Sequence, residues 1–407
     1  MNVRSAKETD LQRIAEIGVK SFPRRTVQER LERLLNETRY GPDDILVCEE
    51  EGGIVGCASL IPQRTWLGGD EYESVGVASV AVEPHFRRRG VARALMDAAL
   101  AQLRSRGVAF SMLYPFNYTF YKNYGYGLVG QTVEFNFAPS HLPSFPEAGQ
   151  VRPVTMKDKG DLLKFYDAWL PTQNLRLHRN PRRWEHILFR DNNQLYMFKN
   201  AKGAVEGYLC FKYERGEETR ATTIIVGDFV AASAEARRAL FGFLSAQSDQ
   251  VAAVQLVQPP GSPLTHLLAE PRGAKFPWGE NAVGRVHSSF MLKILDPAKC
   301  FSGKRNFNGH TGALAITLTP SAHDAEQERS FIVKFSHGAA SVAKATAKSK
   351  ASLETSVAVF ASLITGALRT SDACALGLAQ VDDPKTAAAL DRAFLTAPAF
   401  QPDIDYF

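Results

Sequence analysis

Residues 75–103, VGVASVAVEPHFRRRGVARALMDAALAQL, restrict what this chain can fold into more than any other stretch. They read as a strand, a short arginine-rich turn holding one glycine, and a helix. Val75, Val77, Ser79 and Ala81 alternate with Gly76, Ala78, Val80 and Val82, so both faces of the strand are small or apolar. A strand of that kind is buried in a sheet. Pro84 ends it, because proline lacks the N–H that a ladder needs. Val91, Leu95, Ala98, Ala99 and Leu103 then recur at helical spacing, and Gly107 terminates the helix.

The turn itself is Arg87-Arg88-Arg89-Gly90-Val91-Ala92, an R-x-x-G-x-A pattern. A helix opening here has unpartnered N–H groups and the positive end of its dipole at the turn. Gly90 and Ala92 carry almost no side chain, which lets a phosphate approach the backbone, and the arginines add charged donors. This is an anion cradle suited to a diphosphate. The plainer reading is a solvated basic turn. The apolar strand before it and the amphipathic helix after it favour the cradle.

Composition excludes several classes. The 407 residues exceed one ordinary core, so two or three domains are expected. With 45% hydrophobic and 22% charged residues the chain is of ordinary globular type, and a net charge of +5 does not argue for nucleic acid. The first residues, MNVRSAKETDLQ, have no apolar core of a secretory signal, and no apolar run approaches a membrane span. Cys48, Cys57, Cys210, Cys300 and Cys374 are scattered and odd in number, which suits buried thiols in the cytoplasm rather than disulfides or a metal site.

Along the chain, a strand at Val3-Arg4, a helix from Thr9 or Asp10, and a helix over residues 27–35 precede a hairpin around Glu51-Gly52-Gly53. After the central strand and helix come strands over residues 108–113 and 132–137. Residues 138–150, with three prolines, read as a linker. Residues 151–154 and the apolar pattern behind them repeat the start of the chain. Here the equivalent turn, residues 232–238, has no glycine where Gly90 stands, so the second copy reads as unable to hold a diphosphate. From residue 286 the order changes to strands over 287–294, 313–318 and 330–335, then a helical stripe of Leu353, Val357, Phe360 and Ile364.

The strand, turn and helix of residues 75–103 resemble the acetyl-coenzyme A binding motif of the GNAT acyltransferases, whose R/Q-x-x-G-x-G/A signature Arg87, Gly90 and Ala92 meet. Leu113-Tyr114-Pro115-Phe116 and Phe120-Tyr121-Lys122-Asn123-Tyr124-Gly125-Tyr126-Gly127 are similar to a narrower group, the enhanced intracellular survival (Eis) family of N-acetyltransferases. The resemblance covers the whole chain. It implies an α+β protein of tandem GNAT-like mixed-sheet domains followed by a sterol-carrier-protein-like α+β domain. The expected boundaries are 1–140 for a catalytic domain, 150–284 for a degenerate second copy, and 285–407 for the C-terminal domain.

The same resemblance implies acetyl-coenzyme A as cosubstrate; the nine histidines show no metal-ligand spacing, so no metal is expected. The resemblance places cofactor binding at Val80, Ala81, Val82, Arg87, Arg88, Arg89, Gly90, Val91, Ala92, Arg93, Phe116 and Asn117. It implies an acceptor that is an aminoglycoside-like polyamine or a lysine side chain, and a hexameric homo-oligomer; the charge and hydropathy above give no expectation of a nucleic-acid or membrane partner. Among Tyr114, Tyr118, Tyr121, Tyr124 and Tyr126 the resemblance selects Tyr121 as the proton donor; the other four are expected to be aromatic core with satisfied hydroxyls. It also assigns the C-terminal carboxylate of Phe407 as general base. A free α-carboxyl has a pKa of about 3.5, so burial must raise it or a water must relay the proton. Asp403 and Asp405 have two open readings, as solvated tail charges or as an acidic wall for a cationic amine. His85 is a weaker candidate base, and no serine or cysteine has a partnered base for a covalent route. A different class also stays open, a lipid-binding protein whose GNAT unit only senses coenzyme A.

Overall fold

The alternating apolar residues of the first eighty positions build four antiparallel strands: β1 (Asn2–Ser5), β2 (Ile45–Glu50), β3 (Gly53–Leu67) and β4 (Asp70–Val82), each paired with the next. Helix α1 (Leu11–Ser21) and helix α2 (Val27–Leu35) interrupt them, α2 opening on a capping box between Thr26 and Glu29. Helix α3 (Val91–Ser105) carries the chain from β4 to β5 (Phe110–Leu113), which lies parallel to β4. On one face, Ile14 and Ile17 of α1 pack with Val47, Cys57 and Ala81; on the other, Leu95, Ala99 and Leu103 of α3 pack with Leu46, Leu60, Val75 and Val77. Helix α4 (Tyr118–Lys122) follows β5.

The computed structural model describes all residues except 38, 188, 190–191, 217–220, 272–283, 302, 324–328 and 345–351, and the side chains of residues 186 and 187. The described residues form two compact bodies. One comprises Met1–Val129, Phe290–Thr396 and Phe407; the other comprises Gly130–Ser289 and Ala397–Tyr406.

In the first body, Met291–Ile294 and Gly127–Leu128 complete a seven-stranded sheet beside β5. A five-stranded sheet accompanies it, in the order Ala339–Lys344, Arg329–Ser336, Gly312–Thr319, Leu353–Ser356, Ala379–Val381. Its helix Val357–Ile364 packs on Gly127, where an added Cβ would lie 1.9 Å from the Ala358 carbonyl oxygen, and Ser362 Oγ donates to the Leu128 carbonyl at 2.9 Å. Leu353, expected in the helical stripe, pairs instead with Ile316 as a strand residue; Ser356 caps the helix three positions later.

The second body has its own seven-stranded sheet, with Gln131–Phe137 between Ala253–Gln258 and Gly284–Ser288. Two strand expectations change here. Residues 132–137 do not close the first sheet: Phe135 and Phe137 are buried with Leu209, Val254 and Leu256 in the second core. The stretch 287–294 is two strands, one in each seven-stranded sheet. An alternating pattern fixes which side chains are buried but not which strand is the neighbour. Residues 138–150 are not a free linker either. Their short turns pack on helix Ala234–Ser245, with the Leu142 carbonyl accepting from Ser245 Oγ at 2.9 Å and Glu147 pairing with Arg238 at 2.6 Å. All three sheets mix parallel and antiparallel pairs, so the fold is α+β.

Candidate active site

β4 parts from its neighbours at two points. Its parallel pairing with β5 runs from Ser74–Phe110 to Gly76–Met112 and stops, so residues 77–82 lie along an open wedge on that side. Opposite β3 the register slips, because Ala81 faces Cys57 while Ala78 faces Ser59. One extra residue is therefore accommodated at Ser79-Val80, and Ser79 takes a φ of 52°. The bulge reverses the facing of everything after it. Val80 and Val82 pack on the α3 side with Val75 and Val77, and Ala81 joins the α1 side. Strict alternation had placed Ala81 with Val75; the bulge overturns that.

The strand ends on Glu83, which is buried between Arg13 at 2.8 Å and Lys20 at 2.6 Å. Burial opposes its charge, but the two cations hold its pKa below the ordinary value. A single helical turn, Pro84–Phe86, then delivers the arginines. Arg88 has φ 65°, and Gly90, at φ 88° and ψ 0°, is the first residue of α3's entry and makes no side-chain cap. The first N–H groups of α3 thus face out beneath an exposed glycine, between Val91, which is buried, and the half-buried Ala92. Of the arginines, Arg87 is exposed and ties the turn to the carbonyls of Val82 (3.4 Å) and Lys20 (3.2 Å). Arg89 lies over the Phe86 ring at 5.2 Å, Arg93 reaches Asp97 at 3.7 Å, and Arg88 is exposed. The turn fits a diphosphate by backbone N–H groups and by Arg88, Arg89 and Arg93.

The second copy lacks this geometry. Its helix Ala234–Ser245 is capped by Ser233, whose Oγ accepts from Ala236 N–H at 3.1 Å and donates to Glu206 at 2.6 Å, and Glu235 adds negative charge to the first turn. That helix start is already satisfied and repels an anion.

Tyr121 lies on α4, which Asn117 caps by accepting from the Phe120 N–H at 2.9 Å. The Tyr121 ring is 3% exposed and meets Phe116, Phe120 and Tyr126 at 5.5, 5.0 and 6.0 Å. Burial raises the pKa of its phenol, with Tyr124 adding to the effect, so it stays protonated at neutral pH. Of the other four tyrosines, expected as core with satisfied hydroxyls, only Tyr126 meets that expectation in full. Tyr126 is buried and shares a 2.6 Å hydrogen bond with Ser111, and the Tyr124 hydroxyl is buried with no partner among the described residues. Tyr118 is exposed, and Tyr114 lies edge-on to Phe407 at 5.1 Å. Phe116 is 70% exposed beside this cluster.

Phe407 packs on Gly76, the last residue of β4 paired with β5. A Cβ added to Gly76 would lie 2.5 Å from the Phe407 ring and 2.8 Å from Gln63 Nε2. Gly76 points away from Val75 and Val77, with whose cluster Tyr121 packs. Tyr121 and Phe407 therefore lie on opposite faces of the sheet. Gly76, Gln63 and Tyr114 were not singled out from sequence, although a glycine inside an apolar strand is itself a signal of close approach.

The rest of the tail belongs to the second body and answers neither reading of Asp405. That carboxylate is buried and accepts two hydrogen bonds from Arg179, at 2.8 and 2.7 Å. Arg179 also meets Asp228 at 2.8 Å and the Tyr208 hydroxyl at 2.8 Å, and Arg176 reaches Asp228 at 2.9 Å. Asp405 is an anchor. Asp403 is exposed, its pKa raised by the crowding protein and by Glu134, with His287 opposing. His85 is exposed, 3.9 Å from Glu83. Four cysteines are buried, Cys374 is half-buried, and none is bridged. No cluster of metal-ligating side chains occurs among the described residues, and no described helix is long and apolar enough to cross a membrane.

Family models place this geometry. Two acetyltransferase (GNAT) domain models match residues 2–129 and 175–294, and a sterol carrier protein domain model matches residues 304–401. The N-acetyltransferase Eis of Mycobacterium bovis BCG and that of Mycobacterium tuberculosis H37Ra are each 25% identical to the chain over 362 residues, 84% of this chain and 83% of theirs. Among solved structures, a GCN5-related N-acetyltransferase from Anabaena variabilis superposes over the full length of both chains with a TM-score of 0.85 at 21% identity. Eis1 from Mycobacterium abscessus does so with a TM-score of 0.77 at 19% identity.

Proposed function

Because the chain is an N-acetyltransferase of the GNAT superfamily, of Eis type, we propose that it transfers the acetyl group of acetyl-coenzyme A directly to a primary amine at the β4–β5 wedge. The observation that supports this most is the convergence of three elements there: the uncapped start of α3 under Gly90, the open edge of residues 77–82, and Phe407 seated on Gly76.

Each element has a chemical task. The α3 N–H groups with Arg88, Arg89 and Arg93 bind the diphosphate. The backbone of Val80, Ala81 and Val82 lines the open edge, where its N–H groups pair the pantetheine arm and polarise the thioester carbonyl. Acetyl-coenzyme A bound there supplies an activated acyl carbon. The amine nitrogen forms the new C–N bond as the C–S bond breaks. The Phe407 carboxylate takes the amine proton, directly or through water, and the Tyr121 phenol protonates the departing sulfur. Phe116 and Asn117 border the same channel.

Release of the coenzyme A thiol from acetyl-coenzyme A, followed with a panel of aminoglycosides, polyamines, lysine peptides and small amines, tests the reading. Turnover with at least one amine is expected; none across the panel would leave a coenzyme A binding module without catalysis. Tyr121→Phe is expected to lower kcat by about 100-fold with little change in the KM for acetyl-coenzyme A, and an unchanged kcat would remove Tyr121 from the mechanism. Gly90→Val puts a β-branched residue at φ 88°. A penalty of about 1–2 kcal/mol raises the KM for acetyl-coenzyme A by roughly tenfold while leaving kcat near its original value.

A further inference from the structure

On the face of β3 and β4 that holds Phe407, the next residues along the strands are Ser59 and Ala78, two positions or about 7 Å from Ile61 and Gly76. Ala78 is half-exposed, and the Tyr40 hydroxyl bonds Ser59. Arg39 lies over the Tyr40 ring at 5.8 Å, Arg30 and Arg33, one turn apart on α2, are also near Tyr40, and Arg25 is near those two. The carboxylates of the same segment are committed elsewhere. Glu29 closes the Thr26 capping box, Glu32 accepts from Gln28 at 2.9 Å, and Glu37 forms two hydrogen bonds with Arg39, at 2.8 and 2.6 Å. Arg30 and Arg33 form no salt bridge among the described residues, although the Glu37 carboxylate lies near enough to favour the charge on Arg33.

Arg30 is held in place. Its guanidinium crosses Gly18 so closely that a Cβ there would lie 2.0 Å from Nε, and it stacks over Phe22 at 5.3 Å. Its Nε is buried without a hydrogen-bond partner. Burial and Arg25 lower the pKa of Arg30; partial burial, Arg25 and Arg39 lower that of Arg33, although Arg33 reaches solvent. Guanidinium groups that outnumber the carboxylates beside them favour an incoming anion and repel a polycation.

We propose that the acceptor is a primary amine that also carries a carboxylate or phosphate, received by Arg30 and Arg33 while its amine lies at Phe407. This rests on the acetyl-transfer reading above for the position of the amine, but the anion site stands on its own geometry. Four probes separate the cases: 6-aminohexanoate, 6-aminohexyl phosphate and hexylamine, which share a six-carbon chain, and the polycation spermine. Calorimetric binding and coenzyme A release are both measured, at low and high salt.

The expected result is at least tenfold higher affinity and kcat/KM for one of the two anionic amines over hexylamine and spermine, diminished by salt. Arg33→Gln, on the exposed helix surface, is expected to reduce that discrimination by fivefold or more, and Arg30→Gln by more. The relative response to the two anionic probes separates carboxylate from phosphate recognition. Equal or tighter binding of spermine, or discrimination unchanged in Arg33→Gln, overturns the proposal. Anionic preference in binding without any thiol release supports the anion site and removes the acetyl-transfer reading instead.

Discussion

Three residues added after Phe407 are expected to lower kcat by about 100-fold or more, with acetyl-coenzyme A binding retained. The extension converts the terminal carboxylate into a neutral amide and so removes the proton acceptor proposed above. The cradle for the diphosphate lies at the other end of β4, beyond Val82, and is untouched. The ring also has little room, since Gly76 allows no Cβ against it and Tyr114 stands edge-on at 5.1 Å. Phe407→Leu is the control, because it keeps the carboxylate and alters only the packing. It is expected to keep most of the turnover that the extended chain loses. Equal turnover in the extended and original proteins would remove the carboxylate as base and leave His85 or an acidic side chain in its place.

What the sequence disclosed and what it hid follow from the range of the forces involved. The cradle was legible because local rules make it: Pro84 stops a strand, Gly90 takes a positive φ that other residues avoid, and helical periodicity begins at Val91. The limits of α2 and the lack of a cradle in the second copy were legible for the same reason. Tyr121 and Phe407 were singled out through resemblance, not through their own surroundings. The bulge at Ser79-Val80 was hidden, since nothing in an alternating apolar run marks one extra residue against a partner strand. The exchange of strands between the sheets was hidden too, because residues 131–137 would satisfy either core. Asp405 was misread because a charge near a chain end is usually solvated; only the fold shows Arg179 waiting for it.

Arg179→Met is expected to lower stability by about 3–5 kcal/mol, read as a loss in the denaturation midpoint of the second body. It leaves the Asp405 carboxylate buried with its two donors gone and removes one of the two cations facing Asp228. Arg179→Met with Asp405→Leu is expected to recover a large part of the loss, because an uncompensated buried charge costs more than a missing pair. Acid should act on the same network. Burial alone would raise the Asp228 pKa, but Arg176 and Arg179 and the Tyr208 hydrogen bond hold it at about 2. The unfolded value is about 3.9, so the folded pKa is depressed. Its contribution, about 2–3 kcal/mol, is fully present above pH 4 and is lost as the pH falls towards 2. With one cation gone, the Arg179→Met protein should lose less on that descent than the original. Because Asp405 precedes Phe407 by only two residues, untying it also loosens the terminal carboxylate. The single variant should therefore lose kcat at temperatures where it remains folded, with the KM for acetyl-coenzyme A unchanged. A variant that loses stability but keeps kcat would make the network an anchor for the second body alone.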